Sequence, residues 1–157
     1  MRESGGAARH YRNFTLLVSE KRCNFRAAQS TIMQTLYDQL GGEQKVRELA
    51  DAFYDVMDTN ERAKTIRALH PKNLDASREK FFMFLSGWLG GPPLYVNHFG
   101  HPRLRARHLP FPIGEKERDE WMLCMREAMN RVGLNDLVKA QLEGAFFRTA
   151  DFMRNQG

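Results

Sequence analysis

From residue 46 onward the apolar side chains of this chain recur at a single spacing, that of the α-helix. Val46, Leu49, Ala50, Phe53, Tyr54 and Met57 fall at i, i+3, i+4, i+7, i+8 and i+11, which puts all six on one face of a helix of about four turns. Glu43 sits in its first turn, where a negative charge is favoured. Before it, Leu36, Tyr37 and Leu40 make a short helix stopped by Gly41-Gly42. After it, Asp58-Thr59-Asn60 breaks the pattern, and Ile66, Leu69 and His70 form a turn that ends at Pro71. A stripe of Phe81, Phe84, Leu85 and Trp88 follows, capped by Asn73 or Asp75 and terminated by Gly90-Gly91-Pro92. From about Pro93 to Arg103 helical periodicity fades, and a functional loop is expected there. A long helix then starts near Gly114, with Trp121, Cys124, Met125, Ala128, Met129 and Val132 on one side and Gly133 at its end. A last helix starts near Asn135, with Leu137, Val138, Leu142, Ala145, Phe146, Thr149, Phe152 and Met153 at core spacing. No stretch alternates in the manner of a strand. The fold class is therefore all-α, and the natural sandwich pairs 43–57 with 76–89 and 114–132 with 135–154.

Length and charge narrow the field further. A chain of 157 residues supports one domain with a substantial core. No apolar run reaches the roughly 18 residues of a membrane span, so no membrane partner is expected. Cys23 and Cys124 show no paired spacing, which points away from a disulfide framework or a zinc site and toward a reducing, cytoplasmic setting. Of the net charge of +5, most belongs to residues 1–32, where Arg2, Arg9, Arg12, Lys21, Arg22 and Arg26 face only Glu3 and Glu20. A nucleic-acid reader carries its basic residues on the folded face that reads; here they lead the chain, and nucleic acid is not an expected partner. The leading segment loosely resembles a transit peptide, but its apolar piece Phe14-Thr-Leu-Leu-Val18 is short. It is read as a basic extension over 1–32, with Met33 as the natural first residue of a domain over 33–157.

The chemistry concentrates in His101-Pro-Arg-Leu-Arg-Ala-Arg-His108-Leu-Pro-Phe-Pro112. The prolines stop any helix from continuing, so His108 ends a short helical turn among Leu104, Leu109, Phe111 and Ile113. One ring nitrogen can donate to a carbonyl and fix the tautomer while the other faces an apolar space, as an axial haem ligand requires. Taken alone, a histidine in such an apolar setting is more commonly a satisfied core residue. Likewise the bulky aromatics Phe53, Phe81, Phe84, Trp88, Trp121 and Phe146 either fill a core or wall a flat cofactor. Residues alone leave both readings open.

Taken together, the motifs resemble a known family. Gly41-Gly42 after a tiny first helix, Phe53-Tyr54 on the second, Gly90-Gly91-Pro92, and Gly100-His-Pro-Arg-Leu-Arg-Ala-Arg-His108 are similar to those of truncated haemoglobins. Pro110-Phe111-Pro-Ile113 followed by Glu117-Arg118-Asp119-Glu120-Trp121 points to group II. The similarity spans about 34–155. It implies a two-over-two helical globin fold around haem b, with His108 as the iron ligand. It also implies Tyr54, His70 and Trp121 as the polar groups on the opposite, distal face. Ser77 occupies the position of the usual distal histidine. Phe53, Phe81 and Phe84 would pack near the distal side, and Leu104, Phe111 and Ile113 near His108. Lys80, Tyr95, Arg105 and Arg107 are the implied partners of the haem propionates, with Arg107 and Tyr95 preferred.

A single imidazole ligand leaves an open sixth position on a pentacoordinate iron, so the implied ligands are oxygen, nitric oxide and carbon monoxide. A donor aimed at a gas that gains negative charge is worth roughly 1.5–3 kcal/mol. Trp121 donates only, Tyr54 donates or accepts, and His70 adds to the network or shuttles protons. Tight oxygen binding with slow release follows, which suits sequestration, nitric oxide detoxification or peroxidase-like turnover with an unidentified reductase better than delivery. Monomer and homodimer are both compatible. The competing reading is a haem-free helical interaction or regulatory module that keeps the fold and fills its cavity.

Overall fold

A computed structural model describes residues 34–157; the extension and its boundary at Met33 lie outside the described residues. These are helical, with no strand among them. In order they form α1 (Leu36–Leu40), α2 (Glu43–Thr59), a 3-10 turn (Glu61–Ala63), α3 (Lys64–Ala68), α4 (Asp75–Trp88), α5 (Leu94–Phe99), α6 (Leu104–His108), α7 (Glu115–Val132) and α8 (Asp136–Phe152). The longest four carry the fold. α2 packs on both α4 and α7, and α7 packs in turn on α8, which is the two-over-two sandwich.

Local chemistry sets where each helix stops. Thr35 caps α1 by accepting from Asp38 N, and the Asp38 carboxylate reaches back to the Thr35 amide, a reciprocal capping box. The turn after α4 folds back on α1: Tyr37 N donates to Leu89 O at 2.9 Å and Ser86 Oγ to Pro92 O at 2.8 Å. Gly91 is required there, because a Cβ on it would lie 2.4 Å from the Tyr37 ring. Gly133 ends α7 at φ 74°, in the left-handed region that glycine enters without strain. The core is the shared face of the four long helices, with Val46, Leu49, Phe53 and Met57 from α2 packed against Met122, Met125 and Met129 of α7 and Leu142 and Phe146 of α8.

Several expectations change in detail. Residues 94–99 form α5 rather than a loop, and it buries none of its residues, so a six-residue helix without a core face left no periodic trace. In α4 the deeply buried aromatic is Phe82, whereas Phe81, Phe84 and Trp88 are half-buried. Asn73 does assist the start of α4, its Oδ1 accepting from Asp75 N at 2.7 Å, although the capping position itself is Leu74. On α8, Leu137 is 72% and Phe152 60% exposed, so only part of the expected stripe faces the core.

Candidate functional site

Tyr54 and Phe53 come from α2, His70 from the turn after α3, Ser77 and Phe81 from α4 and Trp121 from α7, and the fold brings them to one place. The Tyr54 ring meets His70 at 5.7 Å and Phe81 at 5.9 Å, each edge to face. Phe53 lies 5.1 Å from both Tyr54 and Trp121, and Phe81 lies 6.3 Å from Trp121. Trp121 continues to Phe146 at 5.6 Å, which stacks on Trp88 at 4.8 Å. The chain of rings runs on through Phe84 to Tyr95 and Phe99. Phe81, Phe84, Trp88 and Trp121 pack against the closed core yet are only half-buried, so each ring keeps some surface uncovered by the protein. Phe146 closes the back of this wall.

The polar atoms have definite roles. Burial pushes the Tyr54 phenol up to about 12, against the opposing pull of the Ser77 hydroxyl and the Arg78 charge, so it remains a neutral O–H. His70 Nδ1 lies 2.9 Å from Ile66 O. A carbonyl only accepts, so Nδ1 carries the proton and Nε2 presents a lone pair. Burial lowers the His70 pKa, and the charges of Arg67 and His108 lower it further, against the Ile66 carbonyl. His70 is therefore a neutral acceptor at neutral pH, which gives its expected place in the polar network a definite role beside Tyr54 and Trp121. Among the described residues nothing accepts from the Trp121 indole N–H. Glu120, beside it, accepts from Ile66 N at 2.8 Å and so ties the His70-bearing turn to α7.

His108 ends α6, its Nδ1 2.6 Å from Leu104 O. By the same reasoning Nδ1–H donates and Nε2 is left with its lone pair. The ring is half-buried, and the influence of a His108 charge on His70 puts the two imidazoles within electrostatic reach. His98 repeats the bond to its own i−4 carbonyl at 3.0 Å, but it is exposed on α5, as is His101 before α6. Ile113 is buried, while Leu109 and Phe111 are exposed; the proline-bounded turn directs their side chains outward, and only its backbone stays close to His108.

Cations gather at the outer end of the ring chain. Arg107 Cζ lies 5.9 Å from the Tyr95 ring and Lys80 Nζ 5.5 Å from Phe99. Arg105 instead donates to the carbonyls of Phe152 and Arg154, which removes it from this group. Sequence reasoning overlooked Asn155, whose carboxamide bonds the turn after His108; a lone Asn behind a helix carries no local signal of that role. A polar surface depression bounded by Asp58, Lys72, Asn73, Leu74, Asp75 and Arg78 contains none of these residues.

A family model described as bacterial-like globin matches residues 35–155. The group 2 truncated hemoglobin YjbI of Bacillus subtilis is 43% identical over 115 residues, covering 73% of this chain and 85% of that protein. Among solved structures, a group II 2-on-2 hemoglobin from Agrobacterium tumefaciens superposes with a TM-score of 0.77 at 46% identity, over 80% of this chain and 97% of its own. A truncated oxygen-avid haemoglobin from Bacillus subtilis superposes at 0.71 with 40% identity, over 78% of this chain and all of its own.

Proposed function

Because the chain belongs to the bacterial-like globin family, we propose that it binds haem b through Nε2 of His108 and holds oxygen, nitric oxide or carbon monoxide on the opposite face. The observation that carries this reading is the pairing of two uncommitted groups. Among the described residues His108 has one ring nitrogen fixed by Leu104 O and the other without a partner, and the Trp121 N–H has no acceptor. The remaining residues fit the cofactor. Half-buried aromatic rings suit a flat macrocycle, and Lys80 and Arg107 at the rim suit its carboxylates. The sequence has no Cys-x-x-Cys-His run, so attachment is non-covalent. The oxygen-avid relative from Bacillus subtilis supports the same ligand class.

Haem seated there supplies an iron centre with one open position for a diatomic gas. The chain's own residues do the rest. Leu104 O orients the His108 ring and raises its basicity as a ligand. Trp121 and Tyr54 offer N–H and O–H toward the gas, in a setting that the surrounding rings keep dry. At neutral pH His70 Nε2 is available to accept, and it becomes a donor only after gaining a proton. Two strong donors support tight binding and slow release, and with them ligand capture, nitric oxide detoxification or peroxidase-like turnover rather than delivery. Turnover needs electrons that no residue here supplies, so the reading includes a reductase partner in a reducing cytoplasm. A haem-free module would have to close the site with side chains, and the half-buried faces of Phe81, Phe84 and Trp121 argue against that.

Titrating the haem-free protein with haem b tests the proposal. A stoichiometric Soret band that shifts on exposure to carbon monoxide is expected; no band at any ratio would end the reading.

A further inference from the structure

The helix that presents His108 has little to hold it in place. α6 has five residues and buries none of them, well short of the roughly 12–15 residues at which an isolated helix becomes even marginal. Its start has no side-chain cap, and the capping position, Arg103, sits at φ 43°. For a residue with a Cβ that left-handed conformation costs about 1 kcal/mol. On the other flank Leu109 and Phe111 are exposed. Within α6 only Leu104 and His108 are even half-buried, so hydrogen bonds from the protein supply much of what fixes this backbone.

They come from the far end of the chain. Asn155 Nδ2 donates to His108 O at 3.3 Å and to Phe111 O at 2.8 Å, and Oδ1 accepts from Ile113 N at 3.1 Å. The backbone amides of Asn155 and Gln156 both donate to Ile113 O, at 2.9 and 3.1 Å. Arg105 on α6 itself donates to the carbonyls of Phe152 and Arg154. The tail is anchored in its turn: Asp151 takes Arg118 at 2.6 Å and Arg154 at 3.1 Å, and Arg154 reaches Glu115 at 3.4 Å.

We propose that Asn155 is a positioning residue for the His108 imidazole, a latch by which the C-terminal tail fixes the pose of the proximal ligand. The residue type is specified, since only a carboxamide offers donors to two carbonyls and an acceptor to an amide. Aspartate would keep the bond from Ile113 N but turn a carboxylate toward the His108 and Phe111 carbonyls. The inference rests on the reading of His108 as the iron ligand.

The test compares Asn155→Ala, Asn155→Asp and Arg105→Gln with Asn135→Ala. The last removes an unrelated cap at the start of α8, where Asn135 Oδ1 accepts from Val138 N at 2.9 Å. Three readouts are taken: the iron–imidazole stretching band of the ferrous protein, the rate of haem transfer to an excess acceptor, and amide exchange at Ile113 in the haem-free protein. Both Asn155 variants are expected to shift or broaden the band and release haem about tenfold faster; Asn155→Ala also exposes the Ile113 amide, whereas Asn155→Asp keeps it protected. Arg105→Gln is expected to alter the band and the release rate more mildly, and it stands in for them should they fail to fold. Asn135→Ala should lower thermal stability and leave all three readouts alone. Normal haem loading with a wild-type band and transfer rate in the Asn155 variants, or equal effects from Asn135→Ala, would overturn the latch. Failure of the unaltered protein to take up haem would overturn the ligand reading and this proposal with it.

Discussion

Replacing Trp121 with Phe removes one N–H from the site and little else. The ring is held by Phe53 at 5.1 Å, Phe146 at 5.6 Å and Phe81 at 6.3 Å, so a phenyl group keeps much of the packing. Because no acceptor among the described residues takes the indole N–H, its removal strands no partner there. The whole effect should appear in gas binding. A hydrogen bond to a ligand that carries charge is worth roughly 1.5–3 kcal/mol, and each 1.4 kcal/mol is about tenfold, so oxygen release should accelerate by about one to two decades. Tyr54→Phe should have a smaller effect, since the phenol shares its hydrogen bonding with Ser77. Stopped-flow displacement of oxygen by excess carbon monoxide measures both rates. A Trp121→Phe protein that releases oxygen at the unaltered rate, or a Tyr54→Phe protein that is the faster of the two, would refute the argument that the uncommitted indole is the main donor.

Other outcomes follow from the same geometry. Burial lowers the His70 pKa below its ordinary 6.5, so the unfolded chain binds the proton more readily than the folded one. Its contribution to stability is therefore present above about pH 6.5 and is lost as pH falls below that value. Melting of the haem-free protein should drop on acidification through that window, and His70→Phe should flatten the drop; an equally steep profile in the variant would contradict the assignment. Gly91→Ala would place a Cβ 2.4 Å from the Tyr37 ring, and overpacking of this kind costs about 1–3 kcal/mol, read as a lowered denaturant midpoint with an unchanged slope. Asn135→Ala should cost about 1 kcal/mol through loss of the α8 cap, measured the same way.

The long helices are legible in the sequence because each buries a stripe several turns long against its neighbours, and glycine or proline marks its ends. α5 and α6 escape that logic. Neither fully buries a side chain, so periodicity reports little; α6 is legible only through the prolines that end it after His108. The α4 pattern misleads for a related reason: Phe81, Phe84 and Trp88 are only half-buried, while the closed core takes Phe82 and Leu85. Which aromatics sit together is set by how α2, α4, α7 and α8 cross, and that information is tertiary. The resemblance to a family singled out Tyr54, His70 and Trp121 as a group, and the structure brings their rings into one cluster. It did not show that His70 Nδ1 is occupied by Ile66 O, which leaves that residue an acceptor through Nε2. Nor did it show Asn155, whose partners lie more than forty residues upstream.

The claim on which the rest depends is that the His108 imidazole holds the iron. His108→Gly removes the ring and leaves a space that free imidazole can enter. The variant is expected to lose haem rapidly and to regain both retention and an unaltered-type ferrous spectrum when imidazole is added, while His101→Gly behaves as the unaltered protein does. Haem held as tightly in His108→Gly as in the unaltered protein, with no response to imidazole, would contradict it.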